Sequence, residues 1–281
     1  MLNRASKPFV KLVERYLPDP YIFVLLLTLI TFAFAVVIQN QSPLTTIQQW
    51  GDGFWGLLTF SMQMLLVLVT GFMLACTPLV KSLLERLASL AKSPGSAIVL
   101  VTLVSLIASW INWGFGLVVG ALFAKALARK VSVDYRLLVA SAYSGFIVWH
   151  GGLAGSVPLT IATPGHFSEA QIGVIGTGET IFSGFNLLLL AIMFVIIPLV
   201  NRLMLPPESE SIIVDSAKLQ DDALPSPTNE RPADKLENSK VLGLLVGFAG
   251  LAYLTNYFVS GGGLNLNIVN TLFLFLAIVL H

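Results

Sequence analysis

The chain has 281 residues, of which 56% are hydrophobic and only 11% charged, and its mean hydropathy is +0.83. That balance excludes a water-soluble globular domain and reads as a polytopic membrane protein. Sixteen Lys and Arg stand against 15 Asp and Glu, so no basic excess exists to neutralise a nucleic-acid backbone, and nucleic acid is excluded as a partner. One cysteine, Cys76, forms neither an intrachain disulfide nor a thiolate cluster, and reads as a small buried apolar residue.

Arg4, Lys7, Lys11 and Arg15 precede an apolar run from Tyr21 to Ile38. Ala33-Phe34-Ala35 has the form of a signal-peptide cleavage site, yet the run continues past it without polar relief and is long enough to span, so it is read as a first transmembrane helix. Further apolar stretches fall at 57–75, 97–124, 137–163, 172–200, 241–259 and 268–281. Lys and Arg are confined to 1–20, 76–96, 125–136 and 201–240, while 39–56, 164–171 and 260–267 carry none. The positive-inside rule places the basic segments, and with them the N-terminus, in the cytoplasm.

Segments 76–96 and 125–136 are then both inside, so the stretch 97–124 enters and leaves on one side. Its centre, Ser109-Trp110-Ile111-Asn112-Trp113-Gly114-Phe115-Gly116, interrupts the apolar run with an amide and two glycines. The arm 97–109 would be only ~20 Å long against a hydrocarbon core of ~30 Å. These facts predict a re-entrant helical hairpin with its tip near mid-membrane. Irregular backbone at that depth is tolerated only where it is buried in protein or lines a cavity, which makes the tip a candidate site.

The stretch 137–163 is also interrupted, at His150-Gly151-Gly152-Leu153-Ala154-Gly155-Ser156-Val157-Pro158. This predicts a broken transmembrane helix that unwinds at the glycines and restarts near Ser156, where a half-helix N-terminus could meet an anion. Glycines that only let helices pack closely are the simpler alternative. Segment 201–240, with eight acids, five bases and five prolines, reads as a solvated cytoplasmic linker. The expected division is a first transmembrane bundle at 1–200, the linker, and the start of a second bundle at 241–281.

Outside the linker, Glu179 alone among the acids lies well inside an apolar stretch. On a continuous helix Glu179, Ser183 and Asn186 would share one face, although Glu179 could equally be a solvated interfacial acid. No Lys or Arg lies inside any span, so an anionic substrate would have to be held by backbone amides, hydroxyls and side-chain amides. Candidate binding residues are therefore Ser109, Asn112, Trp113, His150, Gly151, Gly152, Ser156, Glu179, Ser183 and Asn186. Thr160 offers a further hydroxyl, and Trp110, Trp113, Phe115, Phe146 and Trp149 could line an apolar slot. A single carboxylate with a short alkyl tail suits such a site better than a di- or tricarboxylate. The three histidines show no metal-ligand spacing, and no metal or organic cofactor is expected. An intramembrane serine hydrolase is the rival class, from Ala142-Tyr143-Ser144-Gly145 with His150 or His166 as base. It lacks the expected glycine before the serine.

The strings around Ser109–Gly116, then Asp134-Tyr135-Arg136, Ser144–Leu153 and Ala162-Thr163-Pro164-Gly165-His166, resemble the short-chain fatty acid transporter family. The likeness runs over essentially the whole chain, from Leu17-Pro18-Asp19-Pro20 to Leu264-Asn265-Leu266-Asn267. It implies a non-enzymatic carrier in the bacterial inner membrane for monocarboxylates such as butyrate and acetoacetate. It also implies kinship with the ion-transporter superfamily, whose fold repeats a re-entrant hairpin and broken helix in inverted topology. Family members continue into a second such half, so a chain that stops at His281 is expected to lack part of it. Proton or Na⁺ coupling and a possible homo-oligomer are left open.

Overall fold

The computed structural model describes residues 2–219, 233 and 239–280. Linker residues 220–232 and 234–238, and His281, lie outside the described residues. Among those described, all regular structure is helical, in agreement with the all-α expectation. Among the described residues six helical segments are long and apolar enough to cross a membrane: Pro20–Val37, Leu58–Ala75, Pro94–Ile111, the interrupted Tyr135–Ile161, Gly184–Leu203 and Lys240–Val259. The chain divides into two compact units, Met1–Met62 and Gln63–His281.

The first unit holds α1 (Leu2–Tyr16), α2 (Pro20–Val37), α3 (Pro43–Gly53) and the start of α4 (Leu58–Ala75). Asp19 caps α2 by accepting from the Tyr21 N–H at 2.9 Å, and Pro20 occupies the first helical position, where its missing donor costs nothing. Helix α3 lies in the connection 39–56, one of those without Lys or Arg. Ser42 starts it by accepting from the Thr45 N–H, again ahead of a proline, and Trp50 packs edge-on to Phe32 and Phe54.

The second unit is built on α6 (Pro94–Ile111) and α7 (Trp113–Lys130), preceded by the short α5 (Pro78–Ala88). Ser93 and Ser96 form a capping box at the start of α6. At the other end one residue, Asn112, closes α6 and opens α7. The reversal at Asn112 makes the arms antiparallel, and they lie close because α7 presents glycine to α6. A Cβ on Gly116 would fall on the Ser109 backbone, and one on Gly120 would sit 2.8 Å from Ser105 Oγ. Small residues permit this approach, and close packing is what associates helices in a bilayer. The surrounding core is accordingly rich in alanine: Ala97, Ala108, Ala124, Ala126 and Ala142 pack with Ile98, Val101, Phe123 and Leu127.

The hairpin arms are 18 residues each, longer than expected, and at 1.5 Å per residue span about 27 Å. Apolar length understates the arms, because α6 begins at the Ser93 cap and α7 runs on to Arg129 and Lys130. Helix α6 starts on Pro94-Gly95-Ser96, and α7 ends on a turn with Arg129 and Lys130.

After α7 the chain forms α8 (Tyr135–Ser144), a 3₁₀ segment Gly145–Gly151, the short α9 (Ser156–Ile161) and α10 (Glu169–Ile172). The broken helix is thus present, but it departs from α geometry at Gly145, five residues before the expected break. Helix α11 (Gly184–Leu203) begins twelve residues later than the apolar run suggested. Gly173, at φ +69°, with Gly176 and Gly178 keeps the intervening chain in turns. Helices α12 (Lys240–Val259) and α13 (Leu266–Leu280) pack through Gly247 and Gly250 against Val279 and Phe275. Helix α13 also reaches α4, where Asn270 Nδ2 donates to the Gln63 carbonyl at 3.1 Å.

Candidate functional site

The hairpin turn is built by Asn112, which is fully buried. Its backbone is extended, its N–H still closes α6 on the Ala108 carbonyl, and its Oδ1 accepts from the Phe115 N–H at 2.9 Å. One side-chain oxygen thus caps the helix that follows, while Nδ2 has no partner among the described residues. The indole Nε1 of Trp113 is likewise buried and unpartnered. Helix α4 closes over this turn: a Cβ on Gly71 would lie 2.9 Å from Asn112 Oδ1, and one on Gly114 2.8 Å from the Leu68 Cα.

The broken helix meets the same turn. The Leu153 N–H donates to the Trp110 carbonyl at 2.7 Å, one of the carbonyls that the end of α6 leaves without an intrahelical donor. Gly152 makes this possible, since any Cβ there would occupy the position of the Trp110 backbone. Asn186, in the first turn of α11, ties the break from outside by donating Nδ2 to the Gly151 carbonyl at 3.0 Å and the Ile181 carbonyl at 2.7 Å. Ser183 caps α11 by accepting from the Asn186 N–H, and donates its own proton to the Thr180 carbonyl.

An aromatic surface adjoins Trp113. Its ring lies edge-on to Phe146 and Trp149, with centroids 6.3 and 5.6 Å away, and Phe146 stacks on Trp149 and Tyr143. The exposed His150 packs its ring on Trp149. Three of the five aromatics expected to form a slot therefore come together, and Tyr143 joins them. Trp110 packs instead with Leu106, Val148 and Leu190, and Phe115 with the hairpin core.

Of the candidate binding residues, the structure gathers Ser109, Asn112, Trp113, Gly151, Gly152 and Asn186 around the hairpin turn and the break. Ser109 is buried against Gly116. Ser156 is buried at the start of α9 with Oγ unpartnered, but α9 has only six residues, so the half-helix dipole expected there is short. Thr160 spends its hydroxyl on the Ser156 carbonyl. The expected polar face of Glu179, Ser183 and Asn186 does not exist: Glu179 sits exposed in a turn five residues before α11, and Ser183 is a cap. Continuous apolar patterning suggested a helix there, and the glycines interrupt it.

A second polar layer went unforeseen. Asn201 Nδ2 donates to Thr102 Oγ1 at 3.0 Å and to Ser144 Oγ at 2.7 Å, joining α11, α6 and α8. Beside it, the buried hydroxyls of Ser105 and Ser141 lack partners among the described residues. In the sequence its signal is an amide one residue past the apolar run 172–200. Ser144, the nucleophile of the rival hydrolase reading, donates its proton to the Ser141 carbonyl and accepts from Asn201 Nδ2.

At the opposite end of the hairpin the chemistry is ionic. Glu85 pairs with Arg129 at 2.5 Å and Lys130 at 3.3 Å. Asp134 caps α8 through the Leu137 N–H and accepts from Arg136 and from the Ile212 N–H, each at 2.9 Å. Arg129 reaches the Leu219 carbonyl and Arg136 the Glu210 carbonyl. The first part of the expected solvated linker is therefore docked, because these charged groups take up its backbone donors and acceptors. Burial pushes both carboxyls up, but the Arg129 and Lys130 partners of Glu85, and the Arg136, Ile212 and Leu137 donors of Asp134, outweigh it and hold both below the usual carboxylate range.

An open groove lined by Val24, Leu27, Thr28, Thr31, Phe32 and Trp50 belongs to the first unit. Its two hydroxyls are spent on the Val24 and Leu27 carbonyls, which leaves it poorly suited to an anion. Among the described residues no group of three His, Cys, Asp or Glu could hold a metal ion.

The family model described as short chain fatty acid transporter matches residues 1–281. A protein of Escherichia coli is 45% identical over 286 residues and one of Haemophilus influenzae is 41% identical over 297, in each case across the whole of this chain. Both carry the name "Putative short-chain fatty acid transporter". The chain spans 65% and 66% of their respective lengths. No solved structure matches. The whole-length family match, with these identities, makes the chain a member of the short-chain fatty acid transporter family.

Proposed function

We propose that this chain belongs to a secondary active transporter that carries short-chain monocarboxylates, such as butyrate or acetoacetate, across the bacterial inner membrane, with proton or Na⁺ as the coupling ion. The observation that carries the reading is the pair of buried, unpartnered N–H donors, Asn112 Nδ2 and Trp113 Nε1, on adjacent residues of the hairpin turn. A buried donor without an acceptor costs about 1–3 kcal/mol, which a carboxylate oxygen would offset. Neutral donors suit one negative charge, and the rings of Trp113, Phe146 and Trp149 offer an apolar face to a short alkyl tail. Ser109, Ser156 and His150 supply further polar groups. Gly151, Gly152, Ser183 and Asn186 shape the break, and Glu179 is left outside the proposed site.

The confinement of Lys and Arg to alternate connections supports a topology in which the N-terminus and both ends of the hairpin face the cytoplasm. The hairpin then dips into the membrane and returns, a re-entrant element held against the broken helix. Uptake of radiolabelled butyrate and of succinate into proteoliposomes, under imposed proton or sodium gradients, tests the proposal. Gradient-driven uptake of butyrate over succinate is the expected result, and a preference for succinate would overturn the single-charge reading. Protection of tryptophan fluorescence by butyrate in the wild-type chain, lost in Trp113→Phe, is expected as an independent sign of binding.

A further inference from the structure

Helix α1 sorts its residues into two nearly opposite faces. At about 100° per residue, Phe9, Leu12, Val13 and Tyr16 share one arc of about 100°, while Lys7, Lys11 and Arg15 share an arc of about 80° on the other side. The apolar face is uncovered: Phe9 is 69%, Leu12 56% and Tyr16 67% exposed. By sequence, α1 carries Arg4, Lys7, Lys11 and Arg15 against Glu14, a net charge of +3 (4 − 1) in a chain whose total is +1. Arg15 lies 5.5 Å above the Tyr16 ring, near the junction of the two faces.

The position of α1 limits what can cover that face. Only Leu17, Pro18 and Asp19 separate it from α2, which has no buried residue and enters the bilayer as the first span. Three residues reach at most about 10 Å. Pro18 and Pro20 lack the N–H groups that would continue α1 into α2, so α1 ends where the span begins instead of prolonging it. An amphipathic basic helix held within that distance of a membrane is held at its surface.

We propose that α1 docks on the membrane surface beside the first span, with Phe9, Leu12, Val13 and Tyr16 at the acyl-chain boundary and Lys7, Lys11 and Arg15 against the headgroups of acidic phospholipids. The complementary charge selects acidic over zwitterionic lipid. The apolar arc sets the depth. This inference is independent of the transported substrate.

The test uses the full chain with Cys76→Ala, carrying a fluorophore on Phe9→Cys or on Lys11→Cys, in vesicles of phosphatidylcholine and phosphatidylglycerol in equal parts or of phosphatidylcholine alone. In mixed vesicles the label at position 9 is expected to be quenched by nitroxide lipid, and to be roughly threefold less accessible to aqueous acrylamide than the label at 11. The shielding should fall in phosphatidylcholine alone and in the combined variant Lys7→Gln, Lys11→Gln, Arg15→Gln. Equal acrylamide access at the two positions would overturn membrane docking. Protection of position 9 from both quenchers would mean a protein partner instead. Unchanged depth in phosphatidylcholine alone would overturn the acidic-lipid part of the proposal.

Discussion

Helices α2 and α6 are both 18 residues long, both apolar, and both begin with a capping side chain followed by proline, yet α2 buries no residue and α6 buries eight. Hydropathy does not separate them; small and hydroxylated residues do. Helix α6 offers Ala97, Thr102, Ser105, Ala108 and Ser109 to α7, α8 and α11, whereas 12 of the 18 residues of α2 are Leu, Ile, Val or Phe, its two alanines, Ala33 and Ala35, are not buried, and its two threonines are turned onto their own backbone. In a bilayer lipid is as apolar as leucine, so what draws a helix into protein is close backbone approach and interhelical hydrogen bonding.

Breaking the close approach should have the largest effect. Gly152→Leu or Gly116→Leu places a side chain on backbone atoms of α6, and overpacking of this kind costs about 1–3 kcal/mol or more. We expect loss of monodisperse, folded protein in detergent and loss of butyrate uptake, while Gly178→Ala, where a Cβ meets nothing, should leave both near wild type. Next comes Asn112→Ala, which removes the cap of α7 at a cost of about 1 kcal/mol and the proposed carboxylate donor with it. Thermal unfolding should shift modestly while butyrate uptake falls at least tenfold. Asn112→Asp keeps the cap but puts an acceptor where the donor was, so it should retain stability better than uptake.

Smaller again is Asn201→Leu, which cuts two interhelical hydrogen bonds averaging about 0.6 kcal/mol each and should lower the unfolding temperature by a few degrees. Asp134 sharpens the comparison at the ionic end. Its carboxyl is held below the usual range, so the stability it contributes is complete above the unfolded-state value of about 3.9 and is lost as pH falls through the lower folded value. Hydrogen exchange at 208–214, taken relative to the unstructured-peptide rate at each pH, should therefore stay slow from neutral pH down to about pH 4 and quicken below it. Asp134→Asn should quicken it at neutral pH, because one side-chain oxygen can serve Leu137 but no second acceptor remains for Ile212. The smallest change belongs to α2: Thr28→Val and Thr31→Val should stay within about 0.5 kcal/mol of wild type.

Much of this contrast was legible beforehand. The turn between α6 and α7 followed from the interruption of the apolar run at Asn112, and the broken helix from Gly151, Gly152 and Gly155. Apolar length is not helix length: the apolar run reaches back over Glu179, stops before Asn201, and understates both hairpin arms. Pairing of the aromatics was equally out of reach: Trp110 and Trp113 are three apart on the chain, yet one packs on Leu106, Val148 and Leu190 and the other on Phe146 and Trp149.

By itself the amino-acid sequence determined the all-helical membrane class, the interruption of two apolar stretches, and the family, because hydropathy, glycine and proline act locally and the quoted strings are distinctive. Only the tertiary structure decided which polar groups remain for a ligand. Asn186, Ser183, Thr160 and Ser144 are of the right type, but each spends its hydrogen bonds on backbone or on Asn201. Asn112 Nδ2 and Trp113 Nε1 are left over. Hydrogen-bond capacity is consumed by neighbours in space, and those neighbours lie up to 57 residues away along the chain.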